Sequence, residues 1–222
     1  MLKQFIEKIG SNYPLKEVDA GEYGKANVAG MDFVMKGYEA QGLGFVSVMT
    51  AASKMGMSMD TMIINPFEMD APLLSYDRIR AMGNDILLME LYDTRLNKEK
   101  TMAEDGMLFD SILSRYADLT DGTTAPAWYD DIRYPQSFEK KETASESEHL
   151  DQMSVDYLDA YIKKLKDSPS CDPERKKNAA SIYTEGLLNN GGASTDNFPK
   201  EKGKEYTQNL FRNVLFGTGE PQ

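Results

Sequence analysis

The sequence predicts a single α/β domain over residues 1–222, built as a three-layer α/β/α sandwich with a central antiparallel sheet. Three observations predict it. Apolar runs between residues 44 and 92 follow one another too closely for crossover helices to separate them, so they pair as antiparallel hairpins. Their apolar residues fall on both faces of each run, the pattern of a sheet covered on both sides. Beyond residue 100 the apolar spacing lengthens to the period of helices.

The elements follow in order. Leu2, Phe5, Ile6 and Ile9 form one apolar stripe closed by Gly10, a short amphipathic helix. Residues 11–41 are rich in glycine and polar groups, with one strand expected near 28–35. Residues 44–50 (GFVSVMT) are apolar and β-branched, a strand. Residues 55–64 form the next. On it Met57, Met59, Thr61 and Ile63 share one face, Met62 lies on the other, and Asn65-Pro66 ends the run. Residues 72–79 form a short strand carrying Asp77, Gly83-Asn84 turns the chain, and residues 85–92 are nearly all apolar except Glu90. The Met59–Asn65 strand is expected beside Asp85–Tyr92. In the second half, helices are expected over 101–119, 150–166, from Asp172-Pro173 to about Asn189, and over 201–215, with a long polar loop over 120–148 holding the one tryptophan, Trp128.

Composition excludes several functions. A net charge of −11 argues against nucleic acid and against an anionic membrane surface. One cysteine and one histidine leave no disulfide within the chain and no thiolate or imidazole metal site, so no metal is expected. The glycines at 21, 24, 42 and 44 match no nucleotide fingerprint. The N-terminus has no apolar signal core and no run is long enough to span a bilayer, which predicts a cytoplasmic protein. Fourteen methionines suit either an adaptable core or a pocket lining.

Few residues are placed for chemistry. Asp77, on a buried strand, is the leading acid: desolvation raises a carboxyl toward neutral pH, where it can lend a proton. The competing reading is an ion pair with Arg78 or Arg80. Glu90 alternates with Ile86, Leu88 and Tyr92, so it either enters a pocket or pairs with a helix cation. Asp172 is explained as a helix N-cap. His149 lies in an exposed run, and Cys171, near a helix start that would favour a thiolate, has no base beside it.

The stretch Met59–Arg95 resembles the central strands of the ferredoxin-dependent bilin reductases, which share their fold with red chlorophyll catabolite reductase. The pieces are Ile64-Asn65-Pro66, then Pro72-Leu73-Leu74-Ser75-Tyr76-Asp77, then Leu87-Leu88-Met89-Glu90-Leu91. Ser168-Pro169-Ser170-Cys171-Asp172-Pro173-Glu174, Tyr183 and Asn213-Val214-Leu215-Phe216 extend the resemblance to residue 217. It implies an open-chain tetrapyrrole held between the sheet and the C-terminal helices, with no bound cofactor, ferredoxin as the electron source and partner, and carboxylates as proton donors. Asp77 then corresponds to the central catalytic aspartate and Asp172 to a second one. A histidine and a glutamate that some members use fall near Thr61 and Met49. The cleft is expected to be lined by Met49, Met57, Met59, Thr61 and Tyr183, with the Thr61 face favoured over Met62. A non-catalytic binding protein for a tetrapyrrole or other planar ligand is the alternative. A basic patch from Lys140, Lys141, Lys163, Lys164 and Lys166 is the expected ferredoxin contact.

Overall fold

The computed structural model describes residues 1–123, 126–192 and 197–219. Its centre is an eight-stranded sheet, antiparallel at every pairing, in which sequence neighbours are mostly spatial neighbours. The strands are β1 (Leu15–Val18), β2 (Lys25–Val28), β3 (Met31–Ala40), β4 (Gly44–Ser53), β5 (Ser58–Asn65), β6 (Leu73–Ala81), β7 (Asn84–Tyr92) and β8 (Phe138–Thr143). β1 and β2 pair with successive halves of β3, and the order then runs β3-β4-β5-β6-β7-β8.

Side-chain alternation sorts the central strands into two apolar faces. One carries Val46, Met62, Ile64, Leu74, Tyr76, Met89 and Leu91. It packs on α1 (Leu2–Gly10), α2 (Met102–Gly106), α3 (Asp110–Arg115) and the 20-residue α4 (Glu148–Asp167). The other carries Phe33, Met35, Met49, Met59, Ile63, Leu73 and Tyr92. It packs on α5 (Pro173–Asn190), α6 (Phe198–Lys202), α7 (Lys204–Asn209) and a π-helical turn, Leu210–Leu215. This is the three-layer sandwich that the sequence predicts. Among the described residues no helix is long and apolar enough to cross a membrane.

Four expectations need correction. Residues 11–41 hold three strands, not one. β1 (LKEV) and β2 (KANV) are short, polar and pair on one side only, so they show no apolar alternation. The polar loop over 120–148 contains β8 (FEKKET), a charged edge strand hidden for the same reason. β5 is not beside β7, because β6 lies between them and pairs with both. The helices expected over 101–119 and 201–215 are each broken into short pieces: α2 and α3 joined by a 3₁₀ turn, and α6 and α7 interrupted at Gly203.

Two polar strand residues fasten the C-terminal layer to the sheet. Ser47 Oγ donates to the Leu215 carbonyl at 2.6 Å, and Asn65 Nδ2 donates to the Phe216 carbonyl at 2.9 Å. Helix ends leave carbonyls without partners, and buried ones must find donors. Backbone and sheet approach so closely here that a Cβ on Gly37 would stand 3.0 Å from the Val214 carbonyl oxygen and 2.6 Å from Phe45 Cζ. Gly37→Ala is therefore expected to lower stability by about 1–3 kcal/mol, the usual cost of overpacking, as read by urea unfolding. An unchanged midpoint would show that the C-terminal turn shifts freely.

Candidate functional site

Register places Met49 of β4, Thr61 of β5, Asp77 of β6 and Leu88 of β7 in one row across the sheet. Ile63, Ser75 and Glu90 form the next row on the same face. The rows floor a cavity of about 70 Å³, roofed by Tyr183 and Leu187 of α5, by Phe211, Leu215 and Phe216 of the C-terminal turn, and by Tyr129. A π-helical turn widens a helix by one residue and often marks a functional site; here it supplies two of the roof residues, Phe211 and Leu215.

Asp77 is half-buried and faces this cavity. Thr61 Oγ1 donates to its Oδ1 at 2.5 Å and Ser75 Oγ donates to its Oδ2 at 3.2 Å. Both partners are hydroxyls. Burial pushes its carboxyl up to about 6; the negative Glu90 adds to the rise, while the Thr61 and Ser75 hydrogen bonds oppose it. The competing ion-pair reading does not hold. Alternation sends Arg78 to the opposite face, where it is fully buried and pairs with Asp85 through Nε at 2.5 Å and NH2 at 2.9 Å. Arg80 pairs with Asp60 and Asp85.

Glu90 is 9% exposed and lines the same cavity. Tyr92 Oη donates to its Oε2 at 2.7 Å and Arg133 NH1 donates to its Oε1 at 3.1 Å. Its cation comes from the loop before β8, not from a helix. Aromatic rings close the wall: Tyr183 stacks on Tyr92 at 4.2 Å, and Tyr129 meets Tyr92 edge-on at 5.4 Å. Burial raises the phenols of Tyr92, Tyr129 and Tyr183, which keeps all three protonated.

The loop carrying Tyr129 and Arg133 is held down by Trp128. Its ring lies against Gly186 of α5, where a Cβ would stand 2.1 Å from Cη2, and its Nε1 donates to the Gly191 carbonyl at 2.9 Å. A glycine inside a helix costs roughly 1 kcal/mol against alanine, and the indole contact accounts for this one.

Of the residues expected at the site, Met49, Thr61, Asp77 and Tyr183 come together, and Thr61 rather than Met62 faces the cavity. Met59 shares their face but packs into the surrounding core. Two placements are corrected. Met57 lies in the β4–β5 turn, 37% exposed, because the strand starts one residue later. Asp172 is exposed, and its Oδ1 accepts from the Arg175 amide at 2.9 Å. It stands eleven residues before Tyr183, about 16 Å along the helix, so it caps α5 and does not reach the cavity. The expected basic patch also thins. Lys140 is buried against the Leu119 carbonyl and Asp121, and Lys164 pairs with Asp105. Burial raises the Cys171 thiol, against the thiolate that a helix start suggested. His149 is exposed. Sequence reasoning left Tyr92, Tyr129 and Arg133 out of the site. Tyr92 shares Glu90's strand face and so was within reach; the loop residues carried no pattern.

A larger groove of about 1010 Å³ runs between β1, the start of β4 and the start of α5, lined by Lys16, Phe45, Phe67 and Lys177 among others. It carries side chains of both charges and shares no lining residue with the small cavity. Among the described residues no cluster of three or more histidines, cysteines, aspartates or glutamates is placed to hold a metal ion.

These features define a class: an antiparallel α/β/α sandwich with a partly polar cavity beneath the C-terminal helical layer. No protein-family model matches the chain, and no curated protein matches it by sequence. Among solved structures it is similar to phytochromobilin synthase from tomato, crystallised in complex with biliverdin. The TM-score is 0.78 and the identity 14%, over 100% of this chain and 84% of the tomato chain. At that identity the likeness shows a shared fold, which is the level at which the resemblance read from the sequence is borne out.

The raised pKa of Asp77 has a thermodynamic consequence. Between its ordinary value of 3.8 and the folded value of about 6, the folded protein keeps a proton that the unfolded chain has released. Stability therefore falls as pH rises through that window. Asp77→Asn removes the effect. The variant is expected to gain roughly 3 kcal/mol on wild type between about pH 4 and pH 7, measured by urea unfolding at each pH. A stability difference that does not move with pH would show Asp77 titrating as an ordinary carboxylate.

Proposed function

We propose that the chain reduces a linear tetrapyrrole, or a related planar conjugated molecule, held between the sheet and the C-terminal helical layer. The observation that carries this reading is Asp77: an acid held by two hydroxyls and raised to about 6, at the floor of an aromatic-walled cavity. Reduction of one conjugated double bond takes two electrons and two protons. A ferredoxin, the one-electron donor implied by the resemblance, supplies the electrons, with no cofactor bound to the chain. Asp77 transfers one proton to the substrate radical, is reprotonated from solvent and transfers the second. Thr61 and Ser75 can reverse their hydrogen bonds when Asp77 carries its proton, since a hydroxyl both donates and accepts.

A second reading, a binding protein for the same class of ligand without reduction, has its own observation. The row through Asp77 continues with Thr61 and Met49 on one side, neither of which carries a titrating proton near neutral pH. Turnover separates the two readings. Asp77→Asn is expected to keep ligand binding and to slow anaerobic reduction of biliverdin by reduced ferredoxin roughly 10²–10⁴-fold, followed by absorbance. Unchanged turnover in the variant would remove Asp77 from the mechanism. A shifted bilin absorption band with no turnover in wild type would favour the binding protein, and no band shift would disfavour both readings.

Pockets for ligands of this kind run from about 300 to 1,000 Å³, so a cavity of 70 Å³ must enlarge to admit one. The loop that brings Tyr129 to the roof is held by Trp128 against Gly186 and the Gly191 carbonyl. Trp128→Ala is expected to speed biliverdin association in stopped-flow absorbance measurements. A rate equal to wild type would place the admission path on the side of the C-terminal turn.

A further inference from the structure

Two carboxylates share the cavity, and their partners are of opposite kinds. Asp77 and Glu90 lie on adjacent strands with Ser75 between them: Ser75 is two residues before Asp77 on β6 and directly opposite Glu90 on β7. That diagonal places the two side chains within each other's electrostatic reach. Asp77 is held by hydroxyls, which accept as readily as they donate. Glu90 receives one bond per oxygen, and the bond to Oε1 comes from Arg133, a guanidinium with no acceptor. A proton placed on Glu90 would displace a donor, whereas a proton placed on Asp77 has a hydroxyl oxygen waiting.

We infer that Glu90 is a positioning residue for Asp77: anchored as an anion by Arg133 and Tyr92, it keeps the proton on Asp77 from across Ser75. The inference rests on the proposed role of Asp77 as the site's acid and extends it to a residue assigned no role there. The other groups facing Asp77 do not compete for this part. Thr61 on β5 pulls the other way, Tyr92, Tyr129 and Tyr183 are phenols that stay neutral, and the C-terminal turn brings only Phe211, Leu215 and Phe216. Arg133 is spent on Glu90 and Asp130. The shift on Asp77 agrees in sign, with Glu90 raising it and Ser75 lowering it.

The test needs no ligand. Carboxyl ¹³C shifts of Asp77, followed by NMR against pH in the full chain, give its titration midpoint directly. Wild type is expected near 6. Glu90→Gln keeps the size and one acceptor and is expected to move the midpoint down. Ser75→Ala, which removes an opposing hydrogen bond, is expected to move it up. Because Glu90→Gln leaves Arg133 with Asp130 as its remaining anion, the double variant Glu90→Gln/Arg133→Gln removes the Glu90–Arg133 pair as a unit, and its midpoint should also fall. A midpoint unmoved in both Glu90 variants would overturn the inference, and so would a rise. The outcome is separable from that of the proposed function. A Glu90-dependent midpoint in a protein that neither binds nor reduces biliverdin would sink the function alone. A Glu90-independent midpoint in an enzyme that needs Asp77 would sink this inference alone.

Discussion

The position of the C-terminal layer rests on two buried hydrogen bonds between residues more than 150 apart in the chain: Ser47 to Leu215 and Asn65 to Phe216. Leaving either carbonyl without a donor would cost about 1–3 kcal/mol, a large part of the stability of a domain this size. The bonds also set geometry. They draw the π-helical turn down onto β3, β4 and β5, where Gly37 leaves room for backbone, and so place Phe211, Leu215 and Phe216 over the Met49–Thr61–Asp77 row. The cavity is what remains between a flat, partly polar sheet face and a helical layer pinned at one end.

The sheet uses its two faces for different electrostatics. Arg78 and Asp85 pair on the face toward α4, fully buried and bidentate, and Arg78 also reaches Asp151 and the Ser147 carbonyl at the start of that helix. That pair positions α4. One residue earlier in the chain, Asp77 points the other way into the cavity, where its hydrogen-bond partners are neutral. A period of two along β6 thus separates a structural ion pair from the carboxyl that faces the cavity by a single residue. Lys176 adds a third anchor. It is buried beneath α5, donates to the Ala71 carbonyl and to Thr94 Oγ1, both at 2.7 Å, and its ammonium is pushed down to about 8, first by burial. It fixes the helix that carries Tyr183.

Much of this was legible beforehand where local pattern and final environment agree. The strands β4 to β7 and their antiparallel sense were readable because they are buried on both faces and their connections are short; their order was not. Asp172 was readable as a cap because N-capping is a local event, and the structure shows that cap and nothing more. The failures share a cause. β1, β2 and β8 lie at the sheet margins, where polar residues replace the apolar alternation. Met57 was misplaced by one residue at a turn, the least certain part of any strand.

The sequence by itself determined the layers, the antiparallel pairing of the central strands and the residues that share a face with Thr61, and it singled out Asp77 as the candidate acid. Those follow from periods of two and of three to four, which belong to a chain read a few residues at a time. Only the tertiary structure decided that β6 separates β5 from β7, that Asp172 stands apart from the cavity, and that Glu90 faces Asp77 across Ser75 with Arg133 behind it. It also decided that Trp128 lies on Gly186. Each of these is a contact between distant segments, and burial, which sets the energy of a carboxylate, is a property of the assembled fold rather than of any stretch of sequence.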